Sequence, residues 1–196
     1  MDEAAIKRIV ESAAGSFKKS LKVYWPSEGG NEICERNVTL HLSHVLLKKG
    51  FAVFAECHKK GMTSSRFDLV GIDTASSAQI VAEAKRLYSL QMARSIRDDV
   101  VRMSTFNLID GELDRRLNHK YGIVLATTWK AEYQQWWIST DGASPTTRSE
   151  REWNKIRNHA CLKGAVRGSV LLQQDDAEND PSRRKQYLLY WIFRRR

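Results

Sequence analysis

The sequence is poor in cysteine. Cys34, Cys57 and Cys161 are an odd count among 196 residues, with no C-x-x-C pair, so a disulfide framework is not expected. Cys57-His58, His41 and His44 match the spacing of no common structural zinc site and read as packing or surface residues. Long apolar runs are also missing. The longest, Tyr187–Phe193, falls far short of the about 20 residues that a bilayer-spanning helix needs, which argues against a membrane partner. Met1-Asp2-Glu3 places acid where a secretory signal carries base, and no apolar segment follows. A cytoplasmic protein is the expectation. There is no internal repeat, and no G-x-x-x-x-G-K-[ST] loop to cradle a nucleotide phosphate. Ser16 and Ser169 lie in no nucleophile elbow, and His41, His44, His119 and His159 form no recognisable triad.

Acid is the scarcer charge, with 23 Asp and Glu against 32 Lys and Arg, a net charge of +9 and a pI near 9.6. Such a balance favours a polyanionic partner, because phosphate contacts supply most non-specific nucleic-acid affinity through counterion release. Apolar residues at 42% and charged residues at 28% fit an ordinary globular chain of one domain, 1–196.

Hydrophobic spacing divides the chain into elements. Residues 3–21 carry Ile6, Ile9, Val10, Ala13, Phe17 and Leu21 at a helical period. Tyr24–Gly30 reads as a loop, and a second helix is expected from Asn31, a good N-cap, to Gly50, a good C-cap residue. The period then changes. Residues 51–56, 67–73 and 79–85 read as three successive strands, followed by a helix over 90–106 and a buried strand over 121–128. Ser149-x-x-Glu152 has the form of a capping box ahead of a third amphipathic helix. Residues 169–173 and 187–193 complete the set as strands. This order predicts an α/β (α+β) domain, a central mixed β-sheet flanked by helices.

Within this frame one region carries chemistry. If strand 67–73 turns through Thr74–Ser77 and returns over 78–85, a symmetric register sets Asp68 directly opposite Glu83. Opposed residues have Cβ atoms about 4.5–5.5 Å apart, and like charges so placed repel. Glu83 and Lys85, two apart, share a face. Their neighbours Leu69, Val70, Ile80, Val81, Ala82 and Ala84 are apolar, so the acids need a compensating cation. Lys85 is one, and a divalent ion bound through oxygen, Mg²⁺ or Mn²⁺, would be another. On the preceding helix Glu35 lies at the centre of the stripe formed with Val38, Leu42 and Leu46, a costly place for an unpaired carboxylate. Glu32, at the stripe's edge, is the competing acid.

Phe67-Asp68, then Glu83-Ala84-Lys85, preceded by a helix bearing Glu35, resembles the PD-(D/E)xK nuclease superfamily, the restriction-endonuclease-like enzymes. The nuclease core would occupy about 31–130, with helix 3–21 before it and a helix and strand extension over 149–196. The resemblance implies a helix, a three-stranded meander, a second helix and a further strand. It implies Mg²⁺-dependent hydrolysis of phosphodiester bonds in DNA, with RNA an alternative substrate. Asp68 and Glu83 would be metal ligands, Lys85 would orient or activate the attacking water, and Glu35 would be the accessory acid. Gln91 stands where some relatives bear a functional Gln. The Pro of the family name is replaced by Phe67, a backbone position that ligates nothing. Cutting both strands implies a homodimer. A protein that keeps the fold and has lost catalysis, serving as a nucleic-acid-binding or assembly module, is the alternative.

Basic residues supply candidate phosphate contacts. Arg86 and Arg94 follow Lys85, although Asp98, four residues from both Arg94 and Arg102, suggests a partly solvated ion-pair face. Arg183, Arg184, Lys185, Arg194, Arg195 and Arg196 bracket the last strand. Five of the six tryptophans lie after residue 128, at Trp129, Trp136, Trp137, Trp153 and Trp191. Core or dimer-interface packing is the favoured role for them, with stacking on flipped or single-stranded bases the alternative.

Overall fold

A parallel strand pair cannot be closed by a tight turn, so the chain must leave the sheet and return between its partners. That requirement sets the centre of this molecule. The computed structural model describes residues 1–25, 33–59, 62–173 and 185–195. Among them two helices, α1 (Glu3–Val23) and α2 (Glu35–Lys48), precede an antiparallel meander of β1 (Ala52–Lys59), β2 (Met62–Asp73) and β3 (Ala78–Arg86). The crossover runs through α3 (Leu90–Ser104) and α4 (Gly111–Arg116) to β4 (His119–Thr128), which lies parallel to β3. Then α5 (Ala131–Ile138) and α6 (Glu150–Arg157) lead to a final pair, β5 (Val166–Gln173) and β6 (Gln186–Arg194). The six strands form one mixed sheet in the order β1-β2-β3-β4-β6-β5. The mixed sheet flanked by helices is the expected class, and from α2 to β4 the order is helix, meander, two helices and strand, α4 being an addition to the single expected crossover helix.

Both faces of the sheet are covered. Ile80, Ala82, Ile123, Leu125 and Ile192 pack under α1 and α2, where Ile6, Ile9, Phe17, Leu42 and Leu46 are buried. Val81, Val124, Ala126, Leu189 and Trp191 face Ile96, Val100 and Met103 of α3, Trp136 and Trp137 of α5, and Trp153 of α6. These four tryptophans are core residues. Gly122 lies across from Phe193, whose ring covers the position a Cβ would take. No described helix is long and apolar enough to cross a membrane.

Local signals explain most boundaries. After α2, Gly50 takes φ 88° and Phe51 N–H donates to Leu46 O, so a glycine ends the helix as expected. The helix itself begins at Glu35 with Cys34 as N-cap, and the expected cap Asn31 lies outside the described residues. Ser149 makes no side-chain cap, and Glu152, whose carboxylate a capping box would turn back to the Ser149 N–H, is turned to Arg94 instead. The capping-box reading is therefore corrected. The turn after β2 is held by Asp73, which accepts from Ala75 N–H at 3.0 Å and from the Ser76 hydroxyl.

Arg195 is also corrected. Instead of joining a solvent-facing basic tail it is 7% exposed. It donates to Met103 O at 2.7 Å, to Gln79 Oε1 and to Phe106 O, with its guanidinium over the Phe106 ring. Gln79 reaches on to Asp114, which also accepts from Leu108 N–H at 3.1 Å and from Lys120. The backbone of the last strand brings Arg195 inward through its N–H bond to Lys120 O at 2.9 Å. Arg194 is exposed and pairs with Glu3.

Burial alone would raise the Asp114 pKa, but its bonds to Lys120, Leu108 and Gln79 outweigh it and hold the carboxyl below its ordinary value. A carboxyl lowered on folding stabilises the native state above the unfolded-state pKa, near 3.9, and that contribution is lost as pH falls through the native value. Urea denaturation at pH 6 and pH 3 should therefore show the parent losing more stability on acidification than Asp114→Asn. At pH 6 the variant should be weaker by about 1.5–3 kcal/mol, the loss typical of hydrogen bonds to charge.

Candidate active site

The β2–β3 register pairs Leu69 with Ala82 and Asp73 with Ala78. Continued by one residue, it sets Asp68 against Glu83. The paired residues end at Leu69 and Ala82, and there the Asp68 side chain takes over a bond to the next strand. Its Oδ2 accepts from Ala84 N–H at 2.8 Å. One residue beyond Lys85, Arg86 N–H donates to Glu35 Oε1 at 2.9 Å. Thus α2 and β2 each place a carboxylate on the backbone of β3 beside Glu83 and Lys85.

From the other layer, α3 supplies two charged residues that sequence reasoning did not place at the site: Asp99, which it passed over, and Arg102, which it paired with Asp98. Asp99, 8% exposed, stands 3.6 Å from Lys85 Nζ through Oδ2. Arg102 donates to Asp99 Oδ1 at 2.9 Å and to Glu83 Oε1. Its guanidinium rests 4.8 Å from the centroid of the Phe67 ring, which meets Phe106 edge to face. Phe67 therefore supports the arginine that holds Glu83. A signal for Asp99 existed: it falls three residues after Ile96 and four before Met103, on the buried face of α3.

The electrostatics are those of crowded acid. Glu83 is 1% exposed. Burial first, then Asp68 and Asp99, push its carboxyl up to about 9, against the opposing pull of Arg102 and Lys85. Burial likewise raises Asp99, despite Lys85 and Arg102. For Lys85 burial acts downward, but Asp99, Glu83, Glu35 and Asp68 together outweigh it and raise the ammonium above its ordinary value. Lys85 stays charged. Four carboxyl groups, Asp68, Glu83, Asp99 and Glu35, thus face two cations; full ionisation would leave a surplus of two negative charges, and the raised Glu83 carboxyl is the response to it.

That surplus and the donor chemistry fit a hard divalent cation. Every candidate donor is a carboxylate oxygen, and Asp99 Oδ2 is buried with no hydrogen-bond partner in ordinary range. Among the described residues no three His, Cys, Asp or Glu side chains form a ready-made metal-ligating group. Mg²⁺ does not need one, because it is usually held by one or two carboxylates and completed by waters and substrate phosphate. An open cavity of about 660 Å³ reaches the site, lined in part by Glu35, Thr39, Glu56, Arg66 and Asp68. Glu56, opposite Asp68 when the β1–β2 register is continued, has φ 54°, a strained backbone for a non-glycine residue in a strand.

The other expected binding residues are dispersed. Arg94 pairs with Glu152 and Arg97 with Asp98, so Asp98 is not the partner of Arg94 or Arg102 that its spacing suggested. Lys185 is half-buried just before β6, and Gln91 is exposed in the first turn of α3. Glu32, Arg183, Arg184 and Arg196 lie outside the described residues.

Arg102→Gln tests the balance of charge. In chelator the variant should lose about 1.5–3 kcal/mol in urea denaturation, the usual cost of removing bonds to charged groups. Millimolar Mn²⁺ should then stabilise the variant more than the parent, since the ion and the guanidinium serve the same acids. Comparison of the chain with protein-family models, with curated proteins and with solved structures found no match.

Proposed function

We propose that this protein is a metal-dependent nuclease of restriction-endonuclease-like core, an endonuclease hydrolysing phosphodiester bonds in DNA. The observation that carries the reading is the half-buried ammonium of Lys85 at the end of β3, within the field of Asp99, Glu83, Glu35 and Asp68. Phosphodiester hydrolysis needs a positioned water, charge to balance the pentavalent phosphorus, and a cleft open to a polyanion. The residues present can supply each.

Asp68 and Glu83 would hold Mg²⁺ or Mn²⁺. When bound, such an ion polarises the phosphoryl oxygen, lowers the pKa of a coordinated water and offsets developing charge. Lys85, kept protonated by its acidic neighbours, is suited to orienting the nucleophilic water and stabilising negative charge rather than to removing a proton. Glu35 fixes the backbone at Arg86, and so the place of Lys85. Asp99 and Arg102 are positioning residues, acting through Lys85 and Glu83. The net charge of +9 suits the polyanionic substrate, and Arg86 and Arg94 are the nearest candidates for phosphate contact. Action on both strands would require two such sites, hence a homodimer, and the cytoplasm is the proposed compartment.

One observation favours a second reading. Arg102 already pairs with Glu83, so the same fold serves equally as an inactive nucleic-acid-binding or assembly module. Plasmid nicking separates the two. The nuclease reading predicts conversion of supercoiled DNA to open-circle and linear forms with Mg²⁺ or Mn²⁺, and none in EDTA. Asp68→Asn and Lys85→Ala should each reduce the rate about a hundredfold or more while keeping the parent's circular dichroism. Full activity in either variant removes the assignment, and no cleavage of DNA or matched RNA by the parent favours the inactive module.

A further inference from the structure

The parallel strands β3 and β4 leave the sheet side by side, and open α/β sheets bind ligands beyond the carboxyl ends of such strands. Here their pairing continues past Arg86, where Leu87 N–H donates to Thr127 O at 2.8 Å. The next residue on one chain is Tyr88, and on the other, two positions on, Trp129. Their rings stack with centroids 6.1 Å apart and planes inclined by 16°. Tyr88 is 38% exposed and Trp129 is half-buried, whereas Trp136, Trp137, Trp153 and Trp191 are all in the core. The pair is anchored from below, because the Tyr88 carbonyl accepts from the Tyr133 hydroxyl at 3.0 Å and from Lys130 Nζ at 3.4 Å. Two cations flank it: the Arg86 guanidinium lies 6.0 Å from the Tyr88 ring centroid, and Lys130 lies over Tyr133. Lys85 is three residues away along the same strand end.

We infer that Tyr88 and Trp129 form a stacking shelf for an unpaired nucleobase, with Arg86 and Lys130 taking the adjoining phosphates. The inference rests on the nuclease reading and deepens it: the strand delivered to Lys85 carries unpaired nucleotides, as in a single strand, a flap, a frayed end or the locally opened duplex of a supercoiled plasmid. An aromatic face beside a cation accepts any base, since every base offers a π-face to the ring and a phosphate to the charge. A continuous duplex keeps its bases stacked on one another and offers the shelf nothing. A protein partner would need a contact area many times that of two rings.

The test is fluorescence anisotropy in EDTA, where no cleavage occurs, using the full chain and labelled 20-mers: single-stranded DNA, the RNA of the same sequence, and the matched DNA duplex. The parent should bind a single strand more tightly than the duplex. Trp129→Ala and Tyr88→Ala should each weaken that binding about tenfold, within the usual worth of a base stacked on an aromatic ring, and leave the duplex unchanged. Trp129→Phe keeps a ring and should retain the affinity, which guards against a loss caused by misfolding. A ring-dependent loss on either single strand supports the shelf, and the tighter of the two identifies the sugar. Equal loss on single strand and duplex, or no loss on either, overturns the shelf and leaves the nuclease reading intact. A parent that binds none of the three in EDTA yet nicks plasmid with Mg²⁺ overturns the shelf alone, and one that neither binds nor nicks overturns both.

Discussion

Glu83 is a carboxylate in the middle of a covered sheet, and the structure around it is organised by that burial. A carboxyl at 1% exposure can ionise only beside opposite charge. Arg102 reaches down from α3 to meet it, Phe67 supports the guanidinium, and Asp99 holds Arg102 on one oxygen and faces Lys85 with the other. Arg102 and Asp99 each bring a further charge that itself needs a partner. Apolar residues of similar volume would commonly be as stable or more so, so packing alone gives no reason for the cluster. Carboxyls displaced upward by burial and by one another are a feature that functional sites share.

A second polar cluster gives the contrast. Near the start of β3, Arg195, Gln79, Asp114 and Lys120 form a chain in which each charge meets a donor or acceptor, and Asp114 is held below its ordinary pKa. At the end of β3, Glu83 and Asp99 are pushed the other way. The first arrangement ties the last strand and the α3–β4 crossover to the sheet. The second is left short of positive charge, and Asp68 and Glu35 beside it line an open cavity. The same strand therefore carries a satisfied network at one end and an unsatisfied one at the other.

Much of this was legible in the residues. The period change after Gly50 marks the passage from helix to meander, and turn chemistry at Asp73–Ser77 fixes the register that sets Asp68 against Glu83. The Glu35 argument, an acid on an apolar helical stripe, identified a side chain that does reach β3. Applied to α3 it would have found Asp99 as well. Arg102 was hidden because i,i+4 spacing offered Asp98 as a local partner, while the buried charge of Glu83, distant in sequence, won. Arg195 was misread for a related reason: a run of arginines reads as a solvated tail, and only the pairing of β6 with β4 turns its middle residue inward. The short α4 and α5 carry too few turns for periodicity to register, and tertiary packing of Trp136 and Trp137 fixes α5.

The central claim is that the acids at the end of β3 accept a divalent cation. Crystals soaked in Mn²⁺ and measured for anomalous scattering test it most directly. The account predicts a peak within coordination distance of the Asp68 and Glu83 carboxylates, with Arg102 drawn away from Glu83. A map without a peak there, with Arg102 still seated on Glu83 at saturating Mn²⁺, would contradict it.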